Sequence, residues 1–190
     1  MSKPIRYLRK SNKNKKRVKT LATFLRGLSR RKLRGLDGLA IALHKEAFKK
    51  IDCLDCAHCC KVMTPTFKPA DIKRISKHLG MTYQEYQDKY LYKDETGDWM
   101  NTKTPCQHLR KDNKCAIYPV RPKDCSEFPH TQNREFKAYI ASTHIQNIEY
   151  CPATLHVVER MHQLIIEQGK KNLSAADVKV KQAVPVGYPY

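Results

Sequence analysis

Residues 53–60 read CLDCAHCC and place four cysteines within one short loop. Their spacing, C-x2-C-x2-C-C, lets several sulfur atoms converge on one ion, as in ferredoxin-type clusters. Asp52, Asp55 and His58 make this loop a poor candidate for a segment buried in an apolar core. The spacing therefore indicates a metal-binding loop.

Four further cysteines follow downstream of this loop. The candidate metal ligands are the eight cysteines of the chain: Cys53, Cys56, Cys59, Cys60, Cys106, Cys115, Cys125 and Cys151. Eight thiols suffice for two tetrahedral zinc sites, or for one four-thiolate iron–sulfur cluster with four cysteines left over. The spacing leaves the choice between zinc and iron, including a 4Fe-4S cluster, open. His58 is an alternative ligand, and His108 and His130 are candidates for hydrogen bonds to thiolates.

The motifs around the cysteines follow a fixed order along the chain. They are Cys53-x2-Cys56-x2-Cys59-Cys60, Pro105-Cys106, Asn113-Lys-Cys115-Ala-Ile-Tyr118, and Arg121-Pro122-x2-Cys125 followed by Phe128-Pro129-His130. Over roughly residues 20–165, the chain resembles the bacterial CxxCxxCC family, also called the YkgJ-type cysteine cluster or zinc- or iron-chelating domain family. The resemblance implies metal chelation by the eight cysteines and leaves the cellular role undefined.

Basic residues are concentrated at the beginning of the chain. The formal net charge is +19, and residues 1–50 contribute 17 Lys and Arg against only Asp37 and Glu46. This charge makes nucleic acid, ribosomal RNA or an anionic membrane surface a candidate partner of residues 1–36. Tyr7 and Phe24 are the only aromatic residues there, so the sequence does not support base stacking.

The sequence favours a reducing compartment. No stretch approaches the roughly 18 apolar residues of a transmembrane segment. Basic residues 1–20 are not followed by the apolar core of an export signal. Cysteines make up about 4% of the chain, well below the roughly 8–10% of disulfide scaffolds. We therefore expect a cytoplasmic protein whose thiols stay reduced or bind metal.

Apolar spacing and capping residues predict a mainly α-helical fold with short irregular or β segments, organised as a small cysteine-rich domain around bound metal. Helices are predicted over residues 18–36, 37–50, 69–79, 82–91 and 152–168, and short strands over 99–102 and 116–118. Residues 136–150 carry no decisive pattern. The predicted division is a basic disordered arm (1–19), a helical cysteine-cluster domain (20–169) and a flexible tail (170–190).

Two alternatives to a purely metal-binding role stay open. One is a redox or protein-modifying enzyme supported by the cluster, because the flagellin lysine methylases related to the CxxCxxCC family contain such a cluster in larger chains. The other is an RNA or anionic-surface accessory protein that acts through residues 1–36. The sequence contains no Gly-rich phosphate loop, G-x-S-x-G elbow or H-E-x-x-H motif, and it therefore assigns no catalytic residue.

Overall fold

The structure, a computed structural model, describes residues 2–167 and Gly169. It divides into two compact units: unit 1 consists of Met1–Asp52 and Pro129–Tyr190, and unit 2 of Cys53–Phe128. The mainly helical fold predicted from the sequence is confirmed, with one small sheet. No helix in the described part of the chain is long and apolar enough to cross a membrane. The tail predicted for residues 170–190 lies outside the described residues.

The α-helices and strands follow one another in a simple order. In unit 1 and unit 2 together they are α1 (Lys3–Lys13), α2 (Lys15–Arg30), α3 (Leu36–Phe48), α4 (Cys53–Cys56), α5 (His58–Val62), β1 (Thr66–Phe67), α6 (Pro69–His78), α7 (Tyr83–Tyr90), β2 (Leu91–Lys93), β3 (Trp99–Asn101), α8 (Lys123–Glu127), α9 (Ile145–Tyr150) and α10 (Pro152–His162). Short 3-10 segments lie at Tyr118–Val120 and Phe136–Tyr139, and π turns at Ile140–His144 and Gln163–Glu167.

Unit 1 is built around α10, which is buried from Pro152 to Met161. Pro152 occupies the first turn, where its missing N–H leaves no hydrogen bond unmade. Helices α1, α2, α3 and α9 all pack against α10. Its burial explains why this helix carries apolar residues on several sides rather than on a single stripe.

Residues 3–13 form α1, whereas the sequence predicts a disordered arm over residues 1–19. Ile5, Tyr7 and Leu8 are buried on one side of α1. Asn12 Nδ2 also donates a hydrogen bond of 2.8 Å to the carbonyl oxygen of Glu149. The density of charge in this segment favours disorder, but its few apolar residues recur at helical spacing and favour a packed helix.

Buried polar side chains of α10 are paired with neighbouring helices. Glu159 accepts hydrogen bonds from the Tyr7 hydroxyl and, at 2.7 Å, from Arg17 Nε. His156 Nε2 lies 2.7 Å from Glu46 Oε1. Burial raises the pKa of Glu46, but the hydrogen bond with His156 and nearby positive charges outweigh this effect and lower the pKa overall. These pairs connect α1, α2 and α3 to α10, and they give the buried polar side chains of α10 hydrogen-bond partners.

Unit 2 contains an antiparallel sheet of three strands in the order β1-β3-β2. Helices α6 and α7 confirm the helices predicted over 69–79 and 82–91, and β3 confirms the strand predicted from Trp99. Thr82 and Glu85 form the predicted capping box at the start of α7. The apolar core of this unit consists of Phe67, Ile72, Ile75, Tyr86, Leu91 and Ile117.

The strand predicted over residues 116–118 is wrong. Cys115 pairs with Leu109 in an isolated bridge, and a 3-10 segment follows at Tyr118–Val120. Pro119 lies inside that segment, and its fixed φ and missing N–H prevent the chain from continuing as a ladder strand. The undecided residues 136–150 form the 3-10 segment, a π turn and α9.

Shortening a buried side chain of α1 tests whether this helix is packed. Leu8 is 1% exposed, so Leu8→Ala should lower the free energy of unfolding by about 2–5 kcal/mol because it leaves a cavity. Lys10→Ala, on the exposed side of α1, should change it by no more than about 0.5 kcal/mol. Urea unfolding of both variants checks this. Equal stability of the two variants would mean that α1 is not packed.

Unit 1 also buries a histidine that should make its stability depend on pH. His144 is fully buried and stacks on Phe136, with ring centroids 4.2 Å apart. Burial and, to a lesser extent, the charge of His130 lower the pKa of His144, the backbone of Phe136 opposes them, and the resulting pKa is about 4. The folded protein therefore holds this ring neutral, whereas the unfolded chain protonates it near its ordinary pKa of about 6.5.

Stability contributed by His144 should be complete above about pH 6.5 and fall as the pH drops toward about 4. Replacing this residue, as in His144→Leu, should reduce the loss of unfolding free energy between about pH 7 and pH 4.5 by about 2 kcal/mol. His78→Leu, at an exposed position on α6, is the matched control and should leave the profile unchanged. Urea unfolding across this pH range is the measurement; identical profiles for wild type and His144→Leu would contradict the prediction.

Candidate metal centre

Seven of the eight predicted cysteine ligands lie in unit 2, and Cys151 lies in unit 1. None of the eight, all in the described part of the chain, forms a disulfide. Cys151 is buried at the start of α10, where its N–H donates a hydrogen bond of 2.8 Å to the Asn147 carbonyl.

The CxxCxxCC loop folds as two single helical turns. Cys53 and Cys56 bound α4, and Cys59 and Cys60 lie in α5. Ala57 separates the two turns with a left-handed φ of 45°. Its N–H still donates to the Cys53 carbonyl at 2.8 Å, and the Cys59 and Cys60 Sγ atoms lie 4.0 Å apart. The loop thus presents four sulfurs from a backbone fixed by its own hydrogen bonds.

A second cysteine segment is tied directly to the end of this loop. The Cys106 N–H donates a hydrogen bond of 2.8 Å to the Cys60 carbonyl. The chain then turns at Asn113, which has a φ of 67°, and returns so that Cys115 pairs with Leu109. Arg110 N–H donates to the Lys114 carbonyl at 2.8 Å and closes the turn. Cys106 and Cys115 therefore lie on the two sides of one tight turn, near its open end.

The third segment carries Cys125 on α8, and a buried carboxylate on α6 holds it. Asp71 is 2% exposed and accepts hydrogen bonds from Lys123 N–H at 3.1 Å and Arg74 at 2.7 Å. Arg74 donates in turn to the Arg121 carbonyl at 2.8 Å. Asp124 accepts from the Thr66 N–H at 3.1 Å and joins α8 to β1. These contacts fix the position of Cys125.

Asp71 supports this region but is not among the residues predicted from the sequence. The available signal was its place in the first turn of a helix that begins at Pro69, where a carboxylate caps backbone N–H groups. That signal explains its hydrogen bond to Lys68 N–H at 3.0 Å. It does not reveal the contact with Lys123, which is distant in sequence.

Four cysteines of unit 2 lie close enough for the charge on one to act on the others. Burial raises the pKa of the Cys125 thiol, and negative charge on Cys60, Cys106 and Cys115 raises it further. Burial also raises the pKa of Cys106 and of Cys115, and each responds to Cys60. The hydrogen bond with the Cys59 side chain lowers the pKa of Cys60 to about 7. Ionising all four thiols together requires a nearby cation.

An aromatic wall adjoins these cysteines. The Tyr86 hydroxyl and His108 Nε2 lie 2.9 Å apart, and both residues are buried. Burial raises the pKa of Tyr86, and the charge on Cys106 raises it further. Burial lowers the pKa of His108 to about 4, so this ring is neutral at pH 7. Tyr90 packs against His108 with ring centroids 5.3 Å apart.

The donor chemistry of this neighbourhood fits zinc or iron. Thiolates are soft ligands that both metals accept, and four of them complete a tetrahedral zinc site or a four-thiolate cluster. Within residues 2–167 and Gly169, no group of three or more His, Cys, Asp or Glu side chains has the arrangement of a finished metal site. The Cys60 and Cys106 backbones are joined by a hydrogen bond, and Cys115 and Cys125 respond electrostatically to Cys60.

Comparison with protein families agrees with the ordered motifs. Residues 52–151 match the model of the CxxCxxCC family, described as "Putative zinc- or iron-chelating domain". The chain belongs to the CxxCxxCC family. The matched CxxCxxCC range starts just before Cys53 and ends at Cys151, so it includes all eight cysteines.

One relative of this CxxCxxCC protein comes from Methanocaldococcus jannaschii and is named "Uncharacterized protein MJ0661". The two chains are 30% identical over 82 residues, which is 42% of this chain and 44% of the relative. The match thus spans less than half the length of either protein. No solved structure matches the chain.

Removing the carboxylate of Asp71 tests how α8 is held. Asp71→Asn should lower the free energy of unfolding by about 1.5–3 kcal/mol, because it weakens charge-assisted hydrogen bonds of a buried group. Asp88→Asn is the matched control on α7, since Asp88 is exposed and accepts only a surface hydrogen bond from Gln84 among those described. It should change stability by no more than about 0.5 kcal/mol. Urea unfolding of both variants measures this difference. Equal losses of stability would contradict the prediction that Asp71 holds the segment of Cys125.

Proposed function

We propose that this protein holds zinc or iron through its cysteines and uses the metal to organise unit 2. The observation that carries the proposal is the approach of cysteines from three separate segments in a member of a zinc- or iron-chelating family. Each segment is short and irregular, so apolar packing alone gives it little rigidity. A metal bound across the segments would cross-link them.

Cys60, Cys106, Cys115 and Cys125 are the first ligand set in this proposal. Their mutual electrostatic influence supports this choice, as does the hydrogen bond from Cys106 N–H to the Cys60 carbonyl. A bound zinc or iron ion would supply positive charge that stabilises the four thiolates. Cys53, Cys56 and Cys59 are further candidate ligands in unit 2, for a second ion or for part of a cluster, and Cys151 is a further candidate ligand in unit 1. A 4Fe-4S cluster is the iron form of the same proposal.

The size of unit 2 supports a structural role for the metal. Cys53–Phe128 is 76 residues long, and domains of about 70–80 residues rarely obtain more than about 3–5 kcal/mol from one apolar core. The buried core of this unit is a cluster of six residues. Structural zinc contributes about 10–16 kcal/mol of binding free energy in small domains, which is large beside such a core.

Elemental analysis and visible spectroscopy of the full chain, purified without oxygen, test this function. We expect at least one zinc or iron per chain. A colourless zinc protein identifies zinc, and a brown iron protein with inorganic sulfide identifies an iron–sulfur cluster. Removing the metal with a chelator should lower the urea midpoint, because metal binding stabilises only the folded state.

Single serine substitutions at the four ligands provide the residue-level test. Cys60→Ser, Cys106→Ser, Cys115→Ser and Cys125→Ser should each lose most of the bound metal. Ser126→Ala, next to Cys125 and exposed on α8, is the matched control and should retain it. Purified protein that holds no metal and keeps its urea midpoint in chelator would contradict the proposal. Full metal retention in all four serine variants would contradict the ligand assignment.

A further inference from the structure

The exposed side of the first two helices is uniformly basic. In α1 its residues are Lys3, Arg6, Arg9, Lys10 and Lys13. At 100° per residue, these five occupy about 120° of the helix circumference. In α2 its residues are Lys15, Lys16, Lys19, Arg26 and Arg30. They occupy about 100° of the second helix. We call these ten residues the basic face.

The basic face contains no opposing charge. Residues 2–36, all described by the structure, include no Asp or Glu. Apart from Arg17, the other exposed residues of α2, and Asn14 before it, are small or polar: Asn14, Thr20, Thr23, Gly27 and Ser29. Like charges on successive turns repel one another and destabilise a helix. A polyanion bound along the face would reverse this repulsion.

The opposite side of both helices is anchored, so the basic face is formed before any partner binds. Leu8, Leu25 and Leu28 are each no more than 1% exposed. Arg17 is the basic residue of α2 that turns to this side, where its Nε lies 2.7 Å from Glu159 Oε1. The anchored helices lose little conformational entropy on binding, unlike a disordered basic tail.

The composition of the surface favours nucleic acid over a membrane. An amphipathic helix binds a bilayer by inserting its apolar side, but the apolar side of α1 and α2 is packed in unit 1. The exposed large apolar side chains of the described residues all lie outside residues 2–36. Tyr7 and Phe24 are buried, so the face offers no exposed ring for stacking on single-stranded bases. The feature of this face that can bind a partner is its positive charge, which suits the phosphate backbone of a nucleic acid.

We propose that the basic face binds double-stranded nucleic acid through its phosphate backbone, without reading base sequence. The helices of 11 and 16 residues are about 16 and 24 Å long at 1.5 Å per residue, which corresponds to about 5 and 7 base pairs along a duplex. The Lys and Arg side chains neutralise phosphates and release counterions on binding. This proposal stands on unit 1 alone and is independent of the metal in unit 2.

Fluorescence anisotropy of the full chain with a labelled duplex of about 20 base pairs, longer than the expected footprint, is the test. DNA and RNA duplexes should both bind, with affinity falling at least about tenfold between about 50 and 200 mM salt. The face variant is the quadruple substitution Lys10→Ala, Lys13→Ala, Lys19→Ala and Arg26→Ala. It should bind at least about tenfold more weakly. Its dependence on salt should also be shallower, by about 0.9 in logarithmic slope for each DNA phosphate that the variant no longer neutralises.

A matched control removes the same charge elsewhere. It carries Lys49→Ala, Lys50→Ala, Lys77→Ala and Lys103→Ala, all exposed outside the basic face. It should keep the wild-type affinity within about threefold. Circular dichroism and urea unfolding confirm that both variants are folded. Equal affinity of the two variants, tighter binding to a single strand than to the duplex, or binding to phosphatidylglycerol vesicles but not to either duplex would overturn the proposal.

Discussion

Hydrogen bonds of the backbone, rather than a large apolar core, position the cysteines of unit 2. Cys106 is joined to Cys60 through the main chain, and the segment of Cys125 is joined to α6 through Asp71. Such bonds fix the direction of the chain without filling the space between the sulfurs. They produce a region in which thiolates are unfavourable to form alone and are readily stabilised by a cation.

In unit 1, the first helices must pack against α10 although they carry much charge and few apolar residues. Tyr7, Leu8 and Leu25 contribute enough buried surface on one side of α1 and α2 to hold both helices on α10. Glu159 pairs with both helices from the buried side. Charge and burial are therefore separated around each helix, and the charged residues can serve a partner without weakening the packing.

The sequence predicted the regular parts of the fold where strong local signals were present. Pro69 and the Thr82–Glu85 capping box marked the beginnings of α6 and α7, and the CxxCxxCC run indicated the family to which the chain belongs. Local signals failed where distant contacts decide the structure. The packing of α1 needs α10, and the role of Asp71 needs Lys123, so neither could be derived from its own segment. The ligand assignment of the eight cysteines stays a prediction, as do the cytoplasmic location and the domain limits 20–169.

The left-handed backbone at Ala57 has a mechanical consequence for the CxxCxxCC loop. A residue with a side chain adopts this conformation at a cost of about 1–2 kcal/mol, and Ala57 does so while 3% exposed. The loop therefore holds a small strain, which would be relieved if its two turns merged into one helix. The contacts that keep α4 and α5 apart must offset the conformational free energy of Ala57. The same contacts therefore determine both the positions of the sulfurs and the backbone strain of the loop.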